Sequence, residues 1–191
     1  LQTLINQIKN SITLSPKAEA HVNAIAKQRT VSKGEFLIKQ GKAVKNTYYV
    51  TDGCLRSYCI DHNGKEHTLQ FAIKNWWISD FIAIYNDELA TLNVECIADA
   101  NVIEFNAQQL KDIHDLFPEF EPYQRNNLQR HVVSLHKRIL NQLQLTAPER
   151  YELFLEQYSD IEQYTPNYHI ASYLGITQQS LSRIRVEKVK S

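Results

Sequence analysis

The segment IASYLGITQQSLSRI, Ile170 to Ile184, holds the residues whose types and spacing could do chemistry, and that chemistry is hydrogen bonding to the edges and phosphates of a nucleic acid. Ile170, Leu174, Ile176, Leu181 and Ile184 recur at helical spacing and would fill the wedge between two short helices. Ala171 leaves room for a crossing helix, and Gly175 can take the left-handed turn between the two. Thr177 is then the candidate N-cap of the second helix. With Leu181 and Ile184 turned inward, Gln178, Gln179, Ser180 and Arg183 face outward, as a helix entering a major groove requires. The plain alternative is an ordinary helical hairpin capping another domain, which seldom combines the alanine, the glycine and an outer face rich in donors.

Other chemistries find less support. Three cysteines, Cys54, Cys59 and Cys96, include no C-x-x-C pair, so core or surface thiols are expected rather than zinc or a redox dithiol. His62 and His67 stand five apart with no His-x-His, and neither a glycine-rich phosphate loop nor a G-x-S-x-G elbow is present. We therefore expect no enzyme, no metal and no cofactor. The aromatic stretch Phe71, Trp76, Trp77, Phe81 and Tyr85 would line a pocket for a small apolar or aromatic effector, or else serve core and domain packing.

Composition is that of a globular protein, with 43% hydrophobic and 22% charged residues and 21 bases against 21 acids in 191 residues. The last residues are locally basic, with Arg183, Arg185, Lys188 and Lys190 against Glu187. No signal-like segment and no apolar run of membrane-spanning length is seen, so a cytoplasmic protein without membrane contact is expected.

The elements that must position this segment follow from period and turn chemistry. Two helices over Leu1 to Lys27 precede a region rich in β-branched and aromatic residues, Arg29 to Phe105, read as many short strands of a sandwich or barrel. Asp52-Gly53 and Asn63-Gly64 both read as hairpin turns. Asn106 caps a helix from Ala107 to Leu116, and Pro118 and Pro122 interrupt before a long helix from Tyr123 to about Leu145. That helix carries Leu128, Val132, Leu135 and Ile139 at four- and three-residue steps, a coiled-coil seam that invites a second copy. Thr146 to Arg150 reads as a hinge opening the next helix, whose buried stripe is Tyr151, Phe154, Leu155 and Tyr158.

This order of parts resembles the Crp/Fnr superfamily of bacterial transcription regulators over nearly the whole chain. The resemblance is carried by KGEFLIKQG at Lys33 to Gly41, YYVTDGCLRSY at Tyr48 to Tyr58, the seam helix, and IASYLGITQQSLSRIR at Ile170 to Arg185. It implies an α+β fold: a double-stranded β-roll, or jelly roll, with N-terminal helices over 1–117, a dimerisation helix over 118–145, and a helix-turn-helix domain over 146–191 with a short or absent wing. The implied function is a homodimeric, sequence-specific DNA-binding regulator. Gln178, Gln179 and Arg183 would read bases, Thr177 and Ser180 would meet phosphate, and Arg185 would join the DNA-binding set. Double-stranded DNA bearing a palindromic operator, a second copy of the chain, RNA polymerase and an unidentified small-molecule effector are the partners it implies.

Cyclic-nucleotide-binding relatives hold ribose and phosphate with a Gly-Glu pair and an Arg-Ser or Arg-Thr pair, and the positions here are Ser79-Asp80 and Ala90-Thr91. The arginine whose donor fork would offset a buried cyclic phosphate is missing, so cyclic AMP is not the expected effector. Phe71, Trp77, Ser79, Asp80, Phe81, Ala90 and Thr91 are the candidate effector pocket. No cysteine precedes Cys54, which disfavours the iron-sulfur cluster of the oxygen-sensing branch. The alternative function is a small-molecule sensor or scaffold whose C-terminal helices contact a protein.

Overall fold

The computed structural model describes residues 1–190, with side chains described through residue 188. The side chain of Lys190, expected in the basic stretch, lies outside the described residues. Helices α1 (Gln2–Lys9) and α2 (Pro16–Ile25) open the chain. The second starts where it does because the Ser15 hydroxyl accepts the Ala18 N–H at 3.2 Å and Pro16 sits in the first turn, where no N–H is needed. Leu4, Ile5, Ile8, Ala18 and Val22 pack on Tyr49, Ile103 and Phe105 of the sheet.

Six antiparallel strands form the roll: β1 (Lys27–Val31), β2 (Phe36–Ile38), β3 (Asn46–Ile60), β4 (Glu66–Ala72), β5 (Trp77–Ile78) and β6 (Asn93–Asn106), with helix α3 (Phe81–Asn86) before the last. The two long strands are its frame. One end of β3 pairs with β5 and the other with β4, while β6 pairs with β1 and then β2, so each frame strand belongs to both halves of the roll.

One of the two expected hairpins is corrected. Asp52-Gly53 is not a hairpin: β3 runs through it, and the register to β6 shifts on either side. Gly53 has φ +79°, and a Cβ there would stand 2.2 Å from the Asp99 carbonyl oxygen, so glycine is needed for a bulge pressed against the neighbouring strand. Asn63-Gly64 does turn, with the Asp61 carboxylate accepting the N–H groups of Asn63 and Lys65 at 2.9 and 3.0 Å.

Asn106 caps α4 (Ala107–Leu116) by accepting the Gln108 and Gln109 N–H groups. A short 3-10 turn then leads into α5 (Glu121–Gln144). Pro122 lies inside the first turn of α5 rather than before it, since the fixed φ of proline suits that position. The remaining helices are α6 (Ala147–Gln157), α7 (Asn167–Leu174) and α8 (Gln178–Lys190). A capping box starts α6, with both the N–H and the hydroxyl of Thr146 bonded to the Glu149 carboxylate at 2.8 and 2.7 Å.

These last helices share a core with the roll. Cys54, Phe71 and Ile97 of the sheet are buried with Phe154, Tyr158, Ile161, Ile170 and Leu174. The Phe71 ring lies 6.0, 5.8 and 5.4 Å from those of Phe154, Tyr158 and Tyr173, each such pair contributing about 0.5–1.5 kcal/mol beyond area burial. Among the described residues no helix is long and apolar enough to cross a membrane.

Candidate nucleic-acid interface

Helix α7 ends at Gly175 in the left-handed conformation, φ +69°, and the Ile176 N–H returns to the Ala171 carbonyl at 3.0 Å. Thr177 then caps α8: its hydroxyl oxygen accepts the Ser180 N–H at 3.1 Å. Ile170, Ala171, Leu174, Leu181 and Ile184 are buried against Tyr151, Phe154 and Ile161, so the wedge read from the sequence is formed. Gln178, Gln179 and Arg183 are exposed on the opposite face, and among the described residues none of the three has a hydrogen-bond or ion-pair partner. Ser180 is half-buried. The free N–H groups and positive end of the α8 dipole meet the solvent at Gln178 and Gln179, which favours a phosphate there.

Arg185 is placed differently. Its guanidinium is occupied within the helical bundle by Tyr151 Oη at 3.1 Å, Asn167 Oδ1 at 2.6 Å and the Glu162 carboxylate. It ties α8 to α6 and to the start of α7, and so orients the exposed helix instead of projecting from it.

Ser172 and Arg138 lock this bundle to the roll. Strand β4 lies at the end of the sheet order β1-β6-β3-β4, and its outer backbone edge is covered by side chains from two helices. The Ser172 hydroxyl donates to the Glu66 carbonyl and accepts the Thr68 N–H, both at 2.8 Å. Arg138 of α5 donates to the carbonyls of Leu69, Thr68 and Tyr173. Beneath them Arg56, 1% exposed, binds the Glu95 and Glu66 carboxylates at 2.9 and 2.6 Å. Nε2 of His169, on α7, lies 3.7 Å from Glu95 and 4.0 Å from Glu66. Burial, with the Arg56 guanidinium alongside, pushes the His169 imidazole down to about 3. Burial also pushes the Glu95 carboxyl up, against the pull of Arg56.

The second candidate site lies at α3. Asp80 is fully buried and caps that helix by accepting the Ala83 N–H at 3.1 Å. Its other oxygen accepts the Thr91 N–H, the Thr91 hydroxyl and the Leu92 N–H at 2.6, 3.0 and 2.9 Å. Four donors thus converge on one carboxylate.

Comparison with known proteins bears on both sites. The cyclic nucleotide-binding domain family matches residues 28–115. The transcriptional activator protein FnrA of Stutzerimonas stutzeri is 21% identical over 171 residues, covering 84% of this chain and 69% of that protein. The structure of FixK2 from Bradyrhizobium japonicum superposes with a TM-score of 0.72 at 18% identity, over 85% of this chain and 84% of that one. A transcriptional regulator of the Crp/Fnr family from Eubacterium rectale gives a TM-score of 0.72 at 18% identity, over 93% and 85%.

This chain is similar in sequence and fold to proteins of the Crp/Fnr type. Among these relatives, FnrA is a transcriptional activator and the Eubacterium rectale protein a transcriptional regulator of the Crp/Fnr family. The α+β architecture of this chain, a β-roll followed by a helical C-terminal region, is that of Crp/Fnr structures.

The expected aromatic pocket is not assembled. Phe71 is taken by the shared core, Trp76 by Tyr158, Trp77 by Tyr49 and Phe105, and Phe81 by His131 of α5. The rings pack against different partners, which sequence proximity does not reveal. Ser79 donates to the Asn46 carbonyl at 3.0 Å, and Ala90 is buried with no donor to offer. Leu128, Val132, Leu135 and Ile139 share one face of α5 and are 37% to 56% exposed, so their own chain leaves the seam uncovered.

Residues that sequence reasoning missed are Arg56, Arg138, His169 and Ser172. Arg56 alone carried a signal, as a charged residue inside an apolar strand pattern.

Proposed function

We propose that this chain is a homodimeric transcription regulator that binds a palindromic DNA site through α8 and does not respond to cyclic AMP. The observation that carries the reading is the unengaged face of α8, where Gln178, Gln179 and Arg183 stand exposed on a helix whose other face is buried. Glutamine can pair with adenine and arginine with guanine at two points each, giving about 1–3 kcal/mol of discrimination per good pair. Thr177 and Ser180 lie at the helix start, suited to phosphate, while Arg185 acts as a positioning residue.

The dimer reading rests on the uncovered seam of Leu128, Val132, Leu135 and Ile139. Two such subunits would set recognition helices about 34 Å apart, one turn of DNA, on an imperfect palindrome. We divide the chain accordingly into a roll over 1–117, a dimer helix over 118–145 and a DNA-binding region over 146–191. RNA polymerase fits as a further partner of a regulator bound beside a promoter, and the cytoplasm as its place of work.

Asp80 is the reason for excluding cyclic AMP. Its carboxylate occupies the donors a phosphate would need, and Ala90 stands where a phosphate-binding arginine would be required. The test is selection of bound duplexes from a random library at physiological salt, repeated with Gln178→Ala, Gln179→Ala. A palindromic motif that blurs in the variant supports the reading. A motif unchanged by the variant, or no enrichment with or without cyclic AMP, counts against it and favours a scaffold whose C-terminal helices meet a protein.

A further inference from the structure

We propose that the cleft between α5 and α6 is a binding site for a small phosphate-bearing anion, held by Arg130, Lys137, Arg138 and Arg150. The cleft has a volume of about 790 Å³ and is lined by these four cations, by amides including Gln129 and Asn141, and by no carboxylate. That volume lies within the ~300–1,000 Å³ range of small-molecule sites.

Charge is the decisive feature. The only acid in α5 is Glu121, at its first turn, and Arg125 takes it at 2.8 Å. Arg138 and Arg150 are half-buried, yet their partners are backbone carbonyls: Thr68 at 2.8 Å, Tyr173 at 3.2 Å and Leu69 for the first, Leu145 at 2.6 Å and Leu174 at 3.3 Å for the second. Carbonyl dipoles orient a guanidinium without cancelling its charge. Among the described residues no carboxylate lies within ion-pair distance of any of the four cations. Partly desolvated cations without a counter-ion bear a cost that an entering anion removes. A phosphate group offers several oxygens to a guanidinium fork and a lysine together, and a ligand with two or more negative charges matches a cleft with four positive ones.

The site is separate from the seam and from the recognition face. Arg130 and Lys137 each follow a seam residue, Leu128 and Leu135, by two positions, which at helical pitch is about 200° round α5. Pairing of two α5 helices therefore leaves the cleft open. Because Arg138 and Arg150 already hold the carbonyl end of α7, an anion joining them to Arg130 and Lys137 would stiffen the junction between α5 and the recognition helices.

The test is calorimetric titration of the full chain with inorganic pyrophosphate at constant ionic strength. Saturable binding of one ion per chain is expected, weakened roughly tenfold or more in Arg130→Ala, Lys137→Ala. Both side chains are exposed, so the variant should fold, and an unchanged melting temperature checks that it does. Arg183→Ala should bind pyrophosphate as the parent does. Absence of saturable binding, equal affinity in the double variant, or loss in Arg183→Ala instead would each overturn the proposal. None of these results depends on whether α8 reads DNA.

Discussion

The carboxylate of Asp80 accepts both the N–H and the hydroxyl of Thr91, at 2.6 and 3.0 Å, across the loop that separates α3 from β6. With the Leu92 and Ala83 N–H groups it completes an anion site whose anion is part of the chain. Asp80→Ala leaves buried donors unpaired and should lower stability by about 3 kcal/mol, read as a shift in urea midpoint. Millimolar cyclic AMP should leave the melting temperature of the parent protein unchanged. A saturable rise would show that the internal carboxylate can be displaced.

Arg183→Ala removes an exposed side chain with no partner among the described residues, so stability should stay within about 0.5 kcal/mol of the parent. Its effect should appear in binding to the selected operator, weakened by about 1–3 kcal/mol with one base position relaxed. Equal affinity for operator and mutated operator in both proteins would exclude Arg183 as a base reader.

Arg185→Ala should behave in the opposite manner. The side chain holds Tyr151, Asn167 and Glu162 together, so its loss should lower the melting temperature and weaken DNA binding evenly across sequences. A changed base preference with unchanged melting would assign Arg185 to the DNA surface after all.

Leu135→Glu places a charge in the middle of the exposed seam of α5, opposite its own copy in a parallel pair. Sedimentation velocity should find a dimer for the parent and a monomer for the variant. Two copies of the same mass in both samples would move the dimer contact elsewhere.

Acid should loosen the junction of α7 with the roll. His169 is held neutral, with its imidazole pushed to about 3 from an ordinary 6.5, so on acidification the unfolded chain takes up the proton first. Stability from this group is complete above about pH 6.5 and falls as pH drops from there toward 3. His169→Gln should flatten that part of the melting-temperature profile, and parallel profiles for the two proteins would remove His169 from the account.

Local patterns were enough to read the recognition segment. Ala171, Gly175 and Thr177 act over three or four residues, through a helix crossing, a left-handed turn and a cap, and those requirements are written in adjacent positions. The apolar stripe of α5 and the cap at Asn106 were legible for the same reason. Gly53 misled because a glycine after aspartate serves a turn or a bulge equally well, and only the approach of Asp99 decides between them.

What tertiary structure alone decided is which side chains meet across long separations. Ser172 reaches Glu66 over 106 residues, Arg138 reaches Thr68 over 70, and Arg185 reaches Tyr151 over 34. A basic residue near the end of the chain reads as a free cation until the fold brings a carboxylate and a phenol to it. The sequence by itself determined the order of a strand-rich region, a long helix and a helix-turn-helix segment, and the residues on the exposed face of α8. The fold decided that Arg185 is internal, that Asp80 is its own anion site, and that α7 closes the edge of β4, because those pairings are set by packing between elements and not by the period within any one of them.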